Sequence, residues 1–210
     1  MPEPRPDQQP EPLLEFLAVM RRLRAECPWK AEQTHRSLAR YLLEETHETL
    51  EAIDTGDLDH LREELGDLLL QVYFHAVVAE ETGAFTLDDV ARGITEKMVR
   101  RNPHVFGDAA DPAATGDAAS VNEAWEAIKA TEKARTEVTD GLPPTLPALL
   151  YADKVLDRLA REGTTVVPTG DDLGDRLLAL VAEARETGTD PEQALRDAVR
   201  RRVGQARPNV

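Results

Sequence analysis

Cysteine occurs once in this chain, at Cys27. One thiol cannot close an internal disulfide, and a reducing compartment is the simplest setting for such a chain. Aromatic residues make up only 4% of the sequence, and runs of β-branched residues are scarce, which argues against a sheet protein. No segment approaches the roughly 20 apolar residues that a membrane-spanning helix needs. Positive charge is short: 25 Lys and Arg stand against 40 Asp and Glu, a net charge of −15. Such a chain repels phosphate backbones, so nucleic acid is an unsuitable partner. A small anionic substrate stays compatible if a divalent cation bridges the two. The first stretch, MPEPRPDQQPEP, has no basic n-region and no apolar h-region, so it does not read as a signal peptide. These absences lead to the expectation of a cytoplasmic protein.

Leu, Ala, Glu and Arg dominate instead, and 210 residues suffice for one sizeable core or a domain with an appendage. The expected fold is all-α, helices packed on helices. Residues 1–12 read as a disordered tail. Apolar residues recur with helical spacing from Leu13 to Leu23, and Pro28 should stop that helix. Thr34 or Ser37 can cap the next, which carries Leu38, Leu42, Leu43, Leu50 and Ile53 and ends at Gly56. Asp57 or Asp59 can start a third helix, running to about Glu81 before Gly83. A fourth begins near Thr86 and ends before Pro103. A flexible loop at 107–119 precedes a short helix from Ser120. The segment TDGLPPTLP, residues 139–147, is the clearest linker. Helical patterns follow at 148–161, 171–187 and 191–203.

The chain repeats itself. EELGDLLLQVYFHAVVAEETGAF from Glu63 resembles DDLGDRLLALVAEARETGTD from Asp171. Each copy runs acid, acid, Leu-Gly-Asp, an apolar helix, Glu-Thr-Gly and a second helix with a basic end. No EE-x-x-E segment precedes the second copy, which reads as degenerate.

The chemistry concentrates between residues 42 and 79. On a helical wheel Leu42, Leu43, Leu50 and Ile53 form one stripe, Glu45 borders it, and Glu44, Glu48 and Glu51 lie opposite. A charged outer face is ordinarily just solvated. The next helix is different. Glu64 and Asp67 share a face, and that face continues into Gln71 and Phe74. From Leu68 to Ala79 the helix is apolar nearly all round, so it should be covered on every side. Bare carboxylates at the start of such a face cost several kcal/mol each unless basic partners or a metal compensate. Two acidic helices joined by a short loop pack antiparallel, so EE-x-x-E can face E-x-x-D across a groove. Converging carboxylate oxygens suit a hard cation, Mg²⁺ or Mn²⁺, over Zn²⁺.

EETHE at 44–48 followed by EELGD at 63–67 resembles the EE-x-x-E…E-x-x-D signature of the MazG-type nucleoside triphosphate pyrophosphohydrolases. CPWKAEQTH at 27–35, VRRNPHVF at 99–106 and the Trp125-x-x-x-Lys129 spacing are similar to that family too, although Lys30 stands where it usually has an acid. The resemblance implies a MazG-like antiparallel helical bundle completed by dimerisation. It implies a catalytic domain over 13–138 and a degenerate second MazG-like segment over 148–207. The implied reaction is Mg²⁺-dependent hydrolysis of a nucleoside triphosphate to the monophosphate and pyrophosphate, a housecleaning activity on the nucleotide pool. Glu44, Glu45, Glu48, Glu64 and Asp67 would hold the metal, with Glu45 as the base that orients and deprotonates water. Lys97, Arg101, Trp125 and Lys129 would bind the substrate. Lys97 and Arg101 have an alternative as charges complementing a helix C-terminus, and Trp125 and Trp29 as packing aromatics.

Two rival readings exist. Glu32-x-x-His35 and Glu44-x-x-His47 repeat the Glu-x-x-His pattern of di-iron carboxylate bundles, but Glu64 and Asp67 come without a histidine. Against that reading, His47 and His75 are expected to be packing or surface histidines and not ligands. The other rival is a non-catalytic scaffold that keeps the fold and binds partners through its apolar faces. The intact set of acids argues against it.

Overall fold

A computed structural model describes residues 11–107, 117–132, 136–166 and 169–206. Every regular element among them is a helix: α1 (Pro12–Glu26), α2 (Pro28–Ala31), α3 (His35–Thr55), α4 (Leu58–Glu81), α5 (Leu87–Arg101), α6 (Pro103–Phe106), α7 (Ala118–Glu132), α8 (Ala148–Arg161), α9 (Leu173–Glu186) and α10 (Pro191–Ala206). Residues 1–10 of the expected tail and 108–116 of the expected 107–119 loop lie outside the described residues; Pro12, expected in the tail, opens α1, and α7 begins at Ala118, inside the expected loop. The chain divides into two compact units, one up to Ile128 and one from Lys129.

Short polar signals set the helix ends in the first unit. The Thr34 hydroxyl accepts the Ser37 N–H at 3.1 Å, while the Thr34 N–H donates to the Ser37 hydroxyl at 2.9 Å. This reciprocal box satisfies donors that α3 would leave unpaired. Gly56 ends α3 in the left-handed region at φ 73°, where a side chain would be strained. Asp57 then caps α4 by accepting the N–H groups of Asp59 and His60. With only Gly56 and Asp57 between them, α3 and α4 pack as an antiparallel hairpin. Pro28 ends α1 as expected, and it also occupies the first position of α2.

The core of this unit is Leu17 and Met20 of α1, Leu38 of α3, and Tyr73, Phe74, Val77 and Val78 of α4. Burying each such side chain contributes about 1.5–3 kcal/mol. Two arginines fasten α1 to the end of α4. Arg21 donates twice to Glu80, and Arg24 donates twice to Glu81. Arg24 also donates to the carbonyls of Lys30 and Gln33, tying in the turn that leads to α3.

The packed face of α3 differs from the leucine stripe. Its buried positions are Leu38, Thr49 and Ala52, with Tyr41 and Glu45 half-buried between them. Leu43 and Ile53 stay 60% and 55% exposed. Their apolarity is real, but nothing within the described chain covers it. On α4 the stretch from Tyr73 to Ala79 is buried apart from half-buried His75, whereas Leu65 and Val72 remain exposed. The expectation of cover on every side from Leu68 to Ala79 therefore fails at Val72.

The second unit contains α8, α9 and α10 around Leu156 and Val181. Arg185 binds Asp153 at 2.7 Å and Asp157 at 3.0 Å, joining α9 to α8. Residues near the expected linker are pinned rather than loose: Arg158 donates to the carbonyls of Val138 and Asp140. The internal repeat is also a repeat in backbone geometry. Gly83 and Gly188 close the two Glu-Thr-Gly turns at φ 68° and 69°. In each, the N–H two residues after the threonine returns to a helix carbonyl, Ala84 to Ala79 and Thr189 to Ala184.

Candidate active site

The α3–α4 hairpin brings Glu45, Glu48 and Glu64 together, with one carboxylate oxygen from each within 4.8 Å of the others. Glu45 and Glu48 are one helical turn apart on α3, and Glu64 faces them from α4. Glu64 is buried, 8% exposed. His60, one turn earlier, brings Nε2 within 3.0 Å of one of its oxygens. The other oxygen, Oε2, is buried with no hydrogen-bond partner. Burying an acceptor unpaired costs on the order of 1–3 kcal/mol, more for a charged group.

The Glu45 carboxyl is held above its ordinary range, first by burial, then by the charges of Asp67 and Glu48, a hydrogen bond with Glu48, and the charge of Glu64. Four carboxyl groups thus crowd one end of the hairpin. Asp67, half-buried, belongs to this field although it stands outside the close trio. Glu44 is exposed and lies 3.3 Å from Arg40, one turn back. Of the five expected metal residues, three converge, one adjoins them and one faces solvent.

The donor set fits a hard divalent cation. All three close ligand atoms are carboxylate oxygens, no cysteine or histidine shares the cluster, and the orphaned Glu64 oxygen lacks a counter-charge. The cluster can therefore hold a metal ion.

The expected substrate residues lie on α5 and α7. Lys97 and Arg101 are both half-buried, one turn apart. The Arg101 guanidinium lies 5.2 Å from the centre of the Trp125 ring, a cation–π distance. Lys129 is half-buried one turn beyond Trp125. Trp29 is half exposed; it meets Tyr41 edge-on at 5.9 Å and carries the Lys30 ammonium at 5.4 Å.

Two features were not anticipated. The Glu64–His60 pair was findable, since an i, i+4 spacing places the two side chains together. The pairing of His35 with His75 at 2.8 Å was not, because 40 residues separate them. It engages one of the two ring nitrogens of His35 with a histidine of α4, not with Glu32.

Residues 33–106 match the MazG nucleotide pyrophosphohydrolase domain family. The MazG nucleoside triphosphate pyrophosphohydrolase/pyrophosphatase of Thermotoga maritima is 38% identical over 216 residues, spanning 90% of this chain and 82% of that protein. A nucleoside triphosphate pyrophosphohydrolase of Escherichia coli K12 is 41% identical over 184 residues, 83% of this chain and 68% of its own length. One from Mycobacterium tuberculosis is 42% identical over 197 residues, and the chain spans only 56% of it. A crystal structure of a MazG-related protein from Thermotoga maritima aligns with 57% of this chain and 98% of its own at 28% identity, with a TM-score of 0.46. With Glu45, Glu48 and Glu64 converging and Asp67 beside them on EE-x-x-E and E-x-x-D, and relatives matched over most of their length, the chain belongs to the MazG nucleotide pyrophosphohydrolase family.

Proposed function

We propose that this chain is a hydrolase that converts nucleoside triphosphates to the nucleoside monophosphate and pyrophosphate, with Mg²⁺ as its cofactor. One observation carries the reading: Glu45, Glu48 and Glu64 converge, and a buried Glu64 oxygen has no partner. Named relatives with this activity support it. Glu45, Glu48 and Glu64 hold the cation, with Asp67 beside them and Glu44 at the rim. When bound, the cation neutralises triphosphate oxygens and polarises the attacking water. Glu45 orients that water and accepts its proton. Burial and like charge raise its affinity for a proton, which suits a general base. The new bond forms at the α-phosphorus, and the bond from that phosphorus to the bridging oxygen breaks. Pyrophosphate leaves. Lys97, Arg101, Trp125 and Lys129 are assigned to the nucleotide, cations to its phosphates and Trp125 to its base.

The active form is a homodimer on this reading. Leu43, Ile53, Leu58 and Leu65 lie exposed along α3 and α4, beside the acids, and a second copy would cover them. The catalytic part is 13–138. The degenerate second segment, 148–207, is not a second active site. Asp172, the counterpart of Glu64, caps α9 by accepting the Asp175 N–H instead. Among the described residues no helix is long and apolar enough to cross a membrane, which agrees with a cytoplasmic enzyme. Chromatographic separation of products from a panel of nucleotides with Mg²⁺ tests the reading. Monophosphate and pyrophosphate are expected; diphosphate and orthophosphate would exclude it.

A further inference from the structure

The mechanism leaves one half-buried titratable group without a task. His75 of α4 places Nδ1 2.8 Å from Nδ1 of His35, the first residue of α3. The ring planes lie 6° apart and the ring centres 5.1 Å apart. That separation exceeds the nitrogen–nitrogen distance by a full ring width. The rings therefore do not overlap face to face. They lie edge to edge in nearly one plane, each Nδ1 aimed at the other. A zinc ion between two imidazoles facing head-on would hold the nitrogens about 4 Å apart. Only a proton fits the space here. We propose that His35 and His75 form a one-proton clasp that positions α3 on α4, and with it the register of Glu45 and Glu48 against Glu64, and that acid opens it.

The proton count sets the behaviour. With both rings neutral, one Nδ1 carries hydrogen and the other accepts. Protonation that puts hydrogen on both Nδ1 atoms breaks the bond. His75 resists it: its pKa is lowered by burial first and by His35 second, and its Nε2 is buried without a partner. Charged groups on the elements packed around this end of α4 are few. Arg21 and Arg24 of α1 are engaged by Glu80 and Glu81. Lys30 of α2 lies over Trp29 and Phe74. Glu32, Arg36 and Arg40 flank His35, and Asp88 and Asp89 open α5.

Because the unfolded chain protonates His75 near pH 6.5 and the folded chain resists, stability falls as pH drops below that value. The clasp lies about three turns of α3 from Glu45, so these are positioning residues.

The test uses the full chain with ¹⁵N-labelled histidine. At pH 7.5 a scalar coupling across the hydrogen bond should connect the two Nδ1 nuclei, and it should vanish at acid pH together with amide protection at the start of α3. His35→Asn puts an amide nitrogen where Nδ1 stood; it donates but does not titrate. This variant should keep the protection at acid pH, and the acid loss of kcat/KM should shrink. His35→Phe should lose protection at every pH. Absence of the coupling at pH 7.5, or equal protection in His35→Phe and His35→Asn at every pH, would overturn the proposal.

Discussion

Glu64 of α4 stands opposite Glu48 of α3 with one oxygen bound by His60 and the other buried and unpaired. A fold seldom leaves a carboxylate half-satisfied in this way, and the cost is offset when a cation completes the site. Removing the cation should therefore destabilise the folded chain. In a thermal melt, Mg²⁺ at about 100 times its Kd should add about 2.7 kcal/mol relative to chelator. Glu64→Gln should abolish that gain, yet melt no lower than the wild type in chelator, because like-charge crowding is relieved.

The same crowding makes the metal-free protein sensitive to alkali at this site. The Glu45 carboxyl sits above its ordinary value of 4.5 because of burial, then Asp67, Glu48 and Glu64. Its proton stabilises the fold fully below that value, and the contribution is lost as pH rises through the folded pKa. Chemical denaturation in chelator across this range should show the decline in wild type and a smaller one in Glu45→Gln.

Arg24 is the clip between α1, the turn after α2 and the end of α4. Its side chain is only 12% exposed and serves Glu81 and two carbonyls. Arg24→Met leaves those acceptors without their donor, and equilibrium unfolding should register a loss of about 2–3 kcal/mol. Arg22→Met, which breaks only an exposed pair with Glu26, should cost less than about 0.5 kcal/mol.

If a second copy covers the leucines of α3, a charge placed there should separate the copies. Leu43→Glu, at a position 60% exposed in the single chain, should leave the helical signal intact while halving the mass in analytical ultracentrifugation. Activity should fall with the dimer. A fully active monomer would show that the acids work alone.

Much of this architecture was legible in the sequence, because caps act locally. Thr34, Gly56, Asp57 and Thr86 each set a helix boundary through atoms within a few residues. The metal candidates were legible because EE-x-x-E and E-x-x-D put acids one turn apart. The packed face of α3 was not. Counting apolar residues selects Leu38, Leu42, Leu43, Leu50 and Ile53, whereas the hairpin buries only Leu38 of these, half-buries Leu50, and adds buried Thr49 and Ala52 and half-buried Glu45. A helix whose inner face carries chemistry trades apolarity for ligands, and its greasiest side can then face a partner. The wheel also set Glu48 on the far side of α3; its carboxyl nonetheless reaches the cluster beside Glu45. The His35–His75 clasp depends on hairpin register, which no local pattern encodes.

The central claim is that Glu45 directs water to the α-phosphorus beside a cation held by Glu48 and Glu64. Hydrolysis in ¹⁸O-water with Mg²⁺, followed by mass spectrometry of both products, tests it most directly. The heavy oxygen should appear in the nucleoside monophosphate and not in pyrophosphate, and Glu45→Gln should slow its incorporation by about 10²- to 10⁴-fold. Label in pyrophosphate, or undiminished incorporation by Glu45→Gln, would contradict the account.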